Sequence, residues 1–85
     1  MESKFSHRFS EAYDGLLGFG FSREVDGYTL TYYVQRFSND RLMALLRQRM
    51  SDEDMEELSD RLIGLMRKYL SDQEYHTHFL GEEES

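Results

Sequence analysis

The residues of this chain best suited to chemistry are the histidines and carboxylates near its end. His76-x-His78 sits among Asp72, Glu74 and Tyr75. Two imidazoles and a carboxylate are a ligand set that zinc accepts. Residues two apart diverge by about 200° on a helix, so both rings reach one ion only if the segment is extended. The third histidine, His7, is remote in sequence. Carboxylate pairs such as Asp54 with Glu57 are plentiful, but acid–base catalysis needs two carboxyls held in different environments within a cleft. Carboxylates on the solvent side of an amphipathic helix do not meet that need. The expectation is no metal site, no cofactor and no catalytic residue.

Other catalytic signatures are missing. There is no cysteine, which removes disulfides, thiolate zinc sites and cysteine nucleophiles. Ser38, Ser51 and Ser71 have capping explanations, and no Gly-x-Ser-x-Gly elbow is present. Gly15, Gly18 and Gly20 spell Gly-x-x-Gly-x-Gly, the reverse of the dinucleotide fingerprint, and they precede a predicted strand where the fingerprint follows one. The six Tyr and six Phe would need a basic groove to act as a stacking platform for single-stranded nucleic acid. Their expected role is the core. Tyr33 is the exception, an exposed aromatic suited to an interface.

Charge narrows the partners. Ten Lys and Arg against seventeen Asp and Glu leave a net charge of −7, which disfavours phosphate backbones and anionic lipid. A basic protein surface is the easier fit. No run approaches ~20 apolar residues, so no membrane span is expected. The segment Met1–Arg8 lacks the apolar run of a signal peptide. A small domain without cysteine suits a reducing compartment, hence a cytoplasmic protein. The acids are uneven. Asp52, Glu53, Asp54, Glu56, Glu57 and Asp60 fall in residues 51–60 with no base, and Arg61, Arg67 and Lys68 fall in 61–70 with no acid. Helix-dipole complementarity accounts for that order. The sharper reading is an acidic binding patch, with these six acids and Tyr33 as the partner-binding residues.

The elements that position these residues follow from spacing. At 85 residues the chain makes one small domain over residues 1–80, followed by an acidic disordered tail over 81–85. Phe5, Phe9, Ala12, Leu16 and Leu17 predict a helix from about Ser3 to Leu17, with Gly18 as a left-handed cap. Asp26-Gly27 is a favoured type I′ turn and predicts a β-hairpin with strands at about 19–25 and 28–37. That register puts Phe19, Phe21, Val25, Tyr28, Leu30, Tyr32 and Val34 on one face, with Arg23 the sole charge there. Ser22, Glu24, Thr29, Thr31 and Tyr33 fall on the other.

Two longer helices follow. One spans about Asn39 to Met50, capped by Ser38 or Asn39, with Leu42, Leu45, Leu46 and Met50 as its stripe. The next spans about Asp52 to Leu70, where Met55, Leu58, Leu62, Leu65 and Tyr69 step 3-4-3-4 in a two-heptad seam. Ser51 with Asp54 resembles a capping box, and Ser71-x-x-Glu74 predicts a second one opening a short turn through Phe79. The expected fold class is thus α+β: an N-terminal helix, a β-hairpin, then two or three helices packed on one face of the hairpin.

The order of strand Tyr28–Arg36, helix Asn39–Met50 and helix Asp52–Leu70 resembles a ribbon-helix-helix DNA-binding dimer. The resemblance covers about half the chain and rests on element order. It implies a dimeric DNA-binding regulator with Thr29, Thr31, Tyr33 and Gln35 as major-groove readers. Asp52, Glu53 and Asp54 depart from it, because they stand where the second helix would approach phosphate. The Asp26-Gly27 turn departs too, because it offers the strand a partner within its own chain.

The leading expectation is a small acidic cytoplasmic protein–protein interaction module, an adaptor or inhibitor acting by surface occupation. An acidic nucleic-acid mimic is one form of it, and the DNA-binding regulator is the alternative. Unblunted hairpin edges and the heptad seam also predict a homodimer, with Leu46, Met50, Met55, Leu62 and Met66 along the seam.

Overall fold

In the computed structural model, which describes residues 7–82, the described chain is all-helical. Helix α1 spans Arg8–Ala12, α2 Arg23–Phe37, α3 Asp40–Arg49, α4 Asp52–Tyr69 and α5 Asp72–Glu74, and a π-helix continues from Tyr75 to Phe79. The described residues divide into two compact units, 7–48 and 49–82. No helix among the described residues is long and apolar enough to cross a membrane.

The β-hairpin does not form, so the α+β expectation is corrected to all-α. The residues of both predicted strands from Arg23 onward belong to α2, and no strand occurs among the described residues. Two local forces favour the helix. The Ser22 hydroxyl accepts from the Val25 N–H at 3.1 Å, an N-cap. Glu24 and Asp26 lie in the first turn and Arg36 in the last, as the helix dipole prefers. Gly27 closes no turn; it sits inside the helix, where a Cβ would meet nothing within 4 Å.

Against these stand Val25, Thr29, Thr31, Val34 and Gly27, which cost a helix about 0.5–1 kcal/mol each. Tertiary contacts of the opposite face offset that cost. Phe9, Tyr13 and Tyr28 form a ring cluster with centroids 5.0–5.6 Å apart, and the Arg36 guanidinium lies 5.0 Å over the Tyr32 ring. Thr29, fully buried, accepts from the Gly18 N–H at 2.9 Å and donates to the Gly18 carbonyl at 3.1 Å. The Ser10 N–H donates to Gln35 Oε1 at 2.9 Å, and Arg36 donates to the Ser10 carbonyl at 3.0 Å.

With no strand, the edge-pairing argument for a dimer falls. So does the ribbon of the ribbon-helix-helix resemblance, since Thr29, Thr31, Tyr33 and Gln35 are helical. The predicted N-terminal helix is shortened as well. Its described part ends at Ala12, and Tyr13 is extended; Met1–Ser6 lie outside the described residues. Gly18 caps no helix. Its φ of +151° serves the loop that meets Thr29, and a Cβ there would come within 2.8 Å of the Phe21 ring.

The later helices follow local rules. Asn39 caps α3, its Oδ1 accepting from the Leu42 N–H at 3.0 Å. Ser51 caps α4, its hydroxyl accepting from the Asp54 N–H at 3.0 Å. Ser71 and Glu74 complete a reciprocal capping box, at 3.1 Å for the Glu74 N–H and 2.8 Å for the Ser71 N–H.

Candidate functional site

Among the described residues no apolar side chain is buried; the two buried residues are Ser10 and Thr29. Helix surfaces that would normally be covered therefore face outward, and they form two apolar faces, one in each unit.

The face in residues 7–48 belongs to α2. Leu30, Tyr33, Val34 and Phe37 follow i, i+3, i+4, i+7 spacing and so share one side of the helix. Leu30 is 55% exposed, and Tyr33 and Val34 are each 50% exposed. Phe19 extends the stripe, its ring 6.2 Å from that of Tyr33. Phe19, Arg23, Asp26, Gly27 and Leu30 line a shallow depression of about 400 Å³ beside it. On the inner side, Tyr28 donates to Glu24 Oε1 at 2.7 Å. That bond to a carboxylate, with the carboxylate's charge, raises the Tyr28 pKa above the ordinary phenol value.

The other face belongs to α4. Met55, Leu62, Leu65 and Tyr69 are exposed along it, and Leu58 is half-buried between them. The six predicted acids are all exposed in the first half of the same helix. Glu53, Glu56, Glu57 and Asp60 share the side opposite the apolar seam, at i, i+3, i+4, i+7 spacing; Asp52 and Asp54 flank it. None of the charged side chains of α4 forms an ion pair among the described residues.

The predicted partner-binding set is thus brought together only in part. The acids lie on α4, whereas Tyr33 lies on α2 in the other unit. Of the predicted seam, Met55, Leu62 and Met66 share a face of α4 and Met50 precedes that helix, while Leu46 lies on α3 in the other unit. The stripe of Leu30, Val34 and Phe37 escaped the sequence reading, which had Leu30 and Val34 on the inner face of a hairpin. Its signal was available: helical spacing directly after a Ser cap.

Beyond α4 the chain turns back. Ile63 and Met66 on α4, Leu70 just after it and Tyr75 on the π-helix line an open cleft of about 420 Å³, with Arg67 and His76 at its rim. Tyr75 and Phe79 stack at 5.3 Å. Gly81, at φ +72°, lets the chain return so that Glu82 meets His76 Nδ1 at 2.6 Å. His78 does not join that pair, and no group of three His, Asp or Glu among the described residues is placed to hold a metal ion. The carboxylate of Glu74 accepts from the Ser71 N–H, with the Ser71 hydroxyl beside it, and these hold its pKa below the ordinary value. A general acid requires a shift in the opposite direction.

No protein-family model matches this sequence, and no curated protein or solved structure matches it either.

Proposed function

We propose that this chain is a small acidic interaction module without catalytic chemistry, an adaptor or inhibitor that works by occupying a partner's surface. The observation that carries the reading is the uncovered apolar surface of its helices, with no apolar side chain buried among the described residues. Contiguous exposed apolar surface rimmed by charge marks interaction sites. The partner is a protein with a basic surface, drawn to Glu53, Glu56, Glu57 and Asp60, with Asp52 and Asp54 at the margin. Tyr33 and its neighbours on α2 supply an aromatic contact of the kind interfaces favour. We take the compartment to be the cytoplasm, because a small domain without cysteine suits reducing conditions.

The test is capture of partners from nuclease-treated lysate with stepwise salt elution and mass spectrometry. Three baits are compared: the wild-type chain, a Glu53→Lys/Glu57→Lys variant and a Leu30→Ser/Tyr33→Ser variant. The expected result is a basic protein released at moderate salt and lost with the charge-reversed bait. If both variants retain the same proteins as the wild type, neither surface is used and the reading fails.

A further inference from the structure

The apolar seam of α4 is uncovered, and the charge of that helix is split end to end. Its first half carries Asp52, Glu53, Asp54, Glu56, Glu57 and Asp60, and its second half Arg61, Arg67 and Lys68. We propose that the seam is covered by the same helix of a second copy of this chain, running antiparallel. In that arrangement Asp54 at the acidic end of each helix lies beside Lys68 at the basic end of the other, next to the seam, and the two helix dipoles oppose. A parallel pair would leave Asp54 and Lys68 at opposite ends and align the two dipoles. The self-complementary patch this requires is what a two-fold interface uses.

Charge also selects the register. Antiparallel seams pack the two kinds of heptad position against each other, which allows two alignments here. In the first, Met55 faces Leu65 of the second copy and Leu58 faces its Leu62. The two-fold axis then passes near Asp60, the middle of the helix, so the whole of α4 is used, about 27 Å. Asp54 falls beside Lys68 of the second copy, twice per dimer. In the second alignment Leu58 faces Tyr69 and Leu62 faces Leu65, part of the helix overhangs, and Arg61 falls beside Lys68. Like charges disfavour that one. The first alignment has a single conflict: Arg61 lies beside its own counterpart across the axis.

Because the chain has no cysteine, single-cysteine variants test the alignment cleanly. Met55→Cys and Leu65→Cys chains are mixed, oxidised at low protein concentration and separated without reductant. A disulfide-linked species should form from the mixture and not from either variant alone, whose cysteines sit about 15 Å apart along the axis in this register. Sedimentation across a dilution series should show the wild type as a dimer and Leu62→Asp as a monomer of unchanged helix content.

Arg61→Gln should tighten the dimer. Asp54→Lys should weaken it by about 3- to 10-fold, and adding Lys68→Asp should restore it. Cross-linking of each variant with itself would mean a parallel pair and overturn the proposal. A monomeric wild type would overturn it as well, and would leave the partner-binding reading of the preceding subsection intact. Loss of the heterologous partner, conversely, does not move the sedimentation result.

Discussion

The two units of this chain hold their helices by different means. In residues 7–48 the bonds that matter reach across the sequence. Thr29 grips Gly18, Ser10 meets Gln35 and Arg36, and Phe9 and Tyr13 close on Tyr28. In residues 49–82 they are local: a Ser51 cap, a Ser71–Glu74 box and a return from Glu82 to His76, six residues away. The first unit is set by tertiary polar anchors and the second by rules a helix obeys alone. A helix of the first kind can carry residues that favour a strand, because distant groups compensate. A helix of the second kind must have the right residues itself.

The strongest way to break this comparison is Thr29→Val. The shape is kept, but the Gly18 N–H and C=O lose their partner beside a fully buried side chain. The expected loss is about 1–3 kcal/mol, read by denaturant unfolding. Faster amide exchange in residues 7–38 should accompany it, with 52–69 unaffected. An unchanged midpoint would mean that the anchor does not hold α2. Next comes Gly27→Ala. In a helix with open space at the Cβ position it should raise stability by up to about 1 kcal/mol. In a type I′ turn the same change would lower it, since both turn positions need positive φ. The sign of the shift therefore decides between helix and hairpin.

The smallest effect is expected in the second unit and concerns pH. Glu74 titrates below the ordinary carboxylate value because it accepts from Ser71. A depressed pKa means its contribution is present above the unfolded value and is lost as pH falls through the folded one. Amide shifts of Ser71 and Glu74 should therefore hold through the ordinary carboxylate range and change only in more acid solution. Glu74→Gln should abolish that transition and leave the amides of residues 7–38 unmoved. If the Ser71 amide instead titrates at the usual value, the box is not formed.

The legibility of the chain in its sequence follows the reach of those bonds, and α3 of the first unit, capped locally by Asn39, falls on the legible side. The bounds of α3 and α4 and both serine caps could be read from spacing and cap residues, since those signals act within a few residues. So could the acidic half of α4 and its apolar seam. Residues 19–37 could not. Tyr28, Leu30, Tyr32 and Val34 alternate, yet Leu30, Tyr33, Val34 and Phe37 also keep helical spacing, and over so short a stretch both periods fit. Asp26-Gly27 then favoured the hairpin. The Ser22 cap and the acids of the first turn are the local signals that point to the helix.

What the sequence determined alone is the second unit's helices, their caps, the charge split of α4 and the chemistry that cysteine would have supplied and cannot. What only the tertiary structure decided is the identity of α2. Its residues fit the alternation of a strand and the spacing of a helix, so local propensity leaves the choice nearly balanced. The balance is tipped by Thr29 closing on the Gly18 loop and by the aromatic rings of α1 and the loop that follows it. Those groups lie about ten or more residues away and are brought together only when the chain folds.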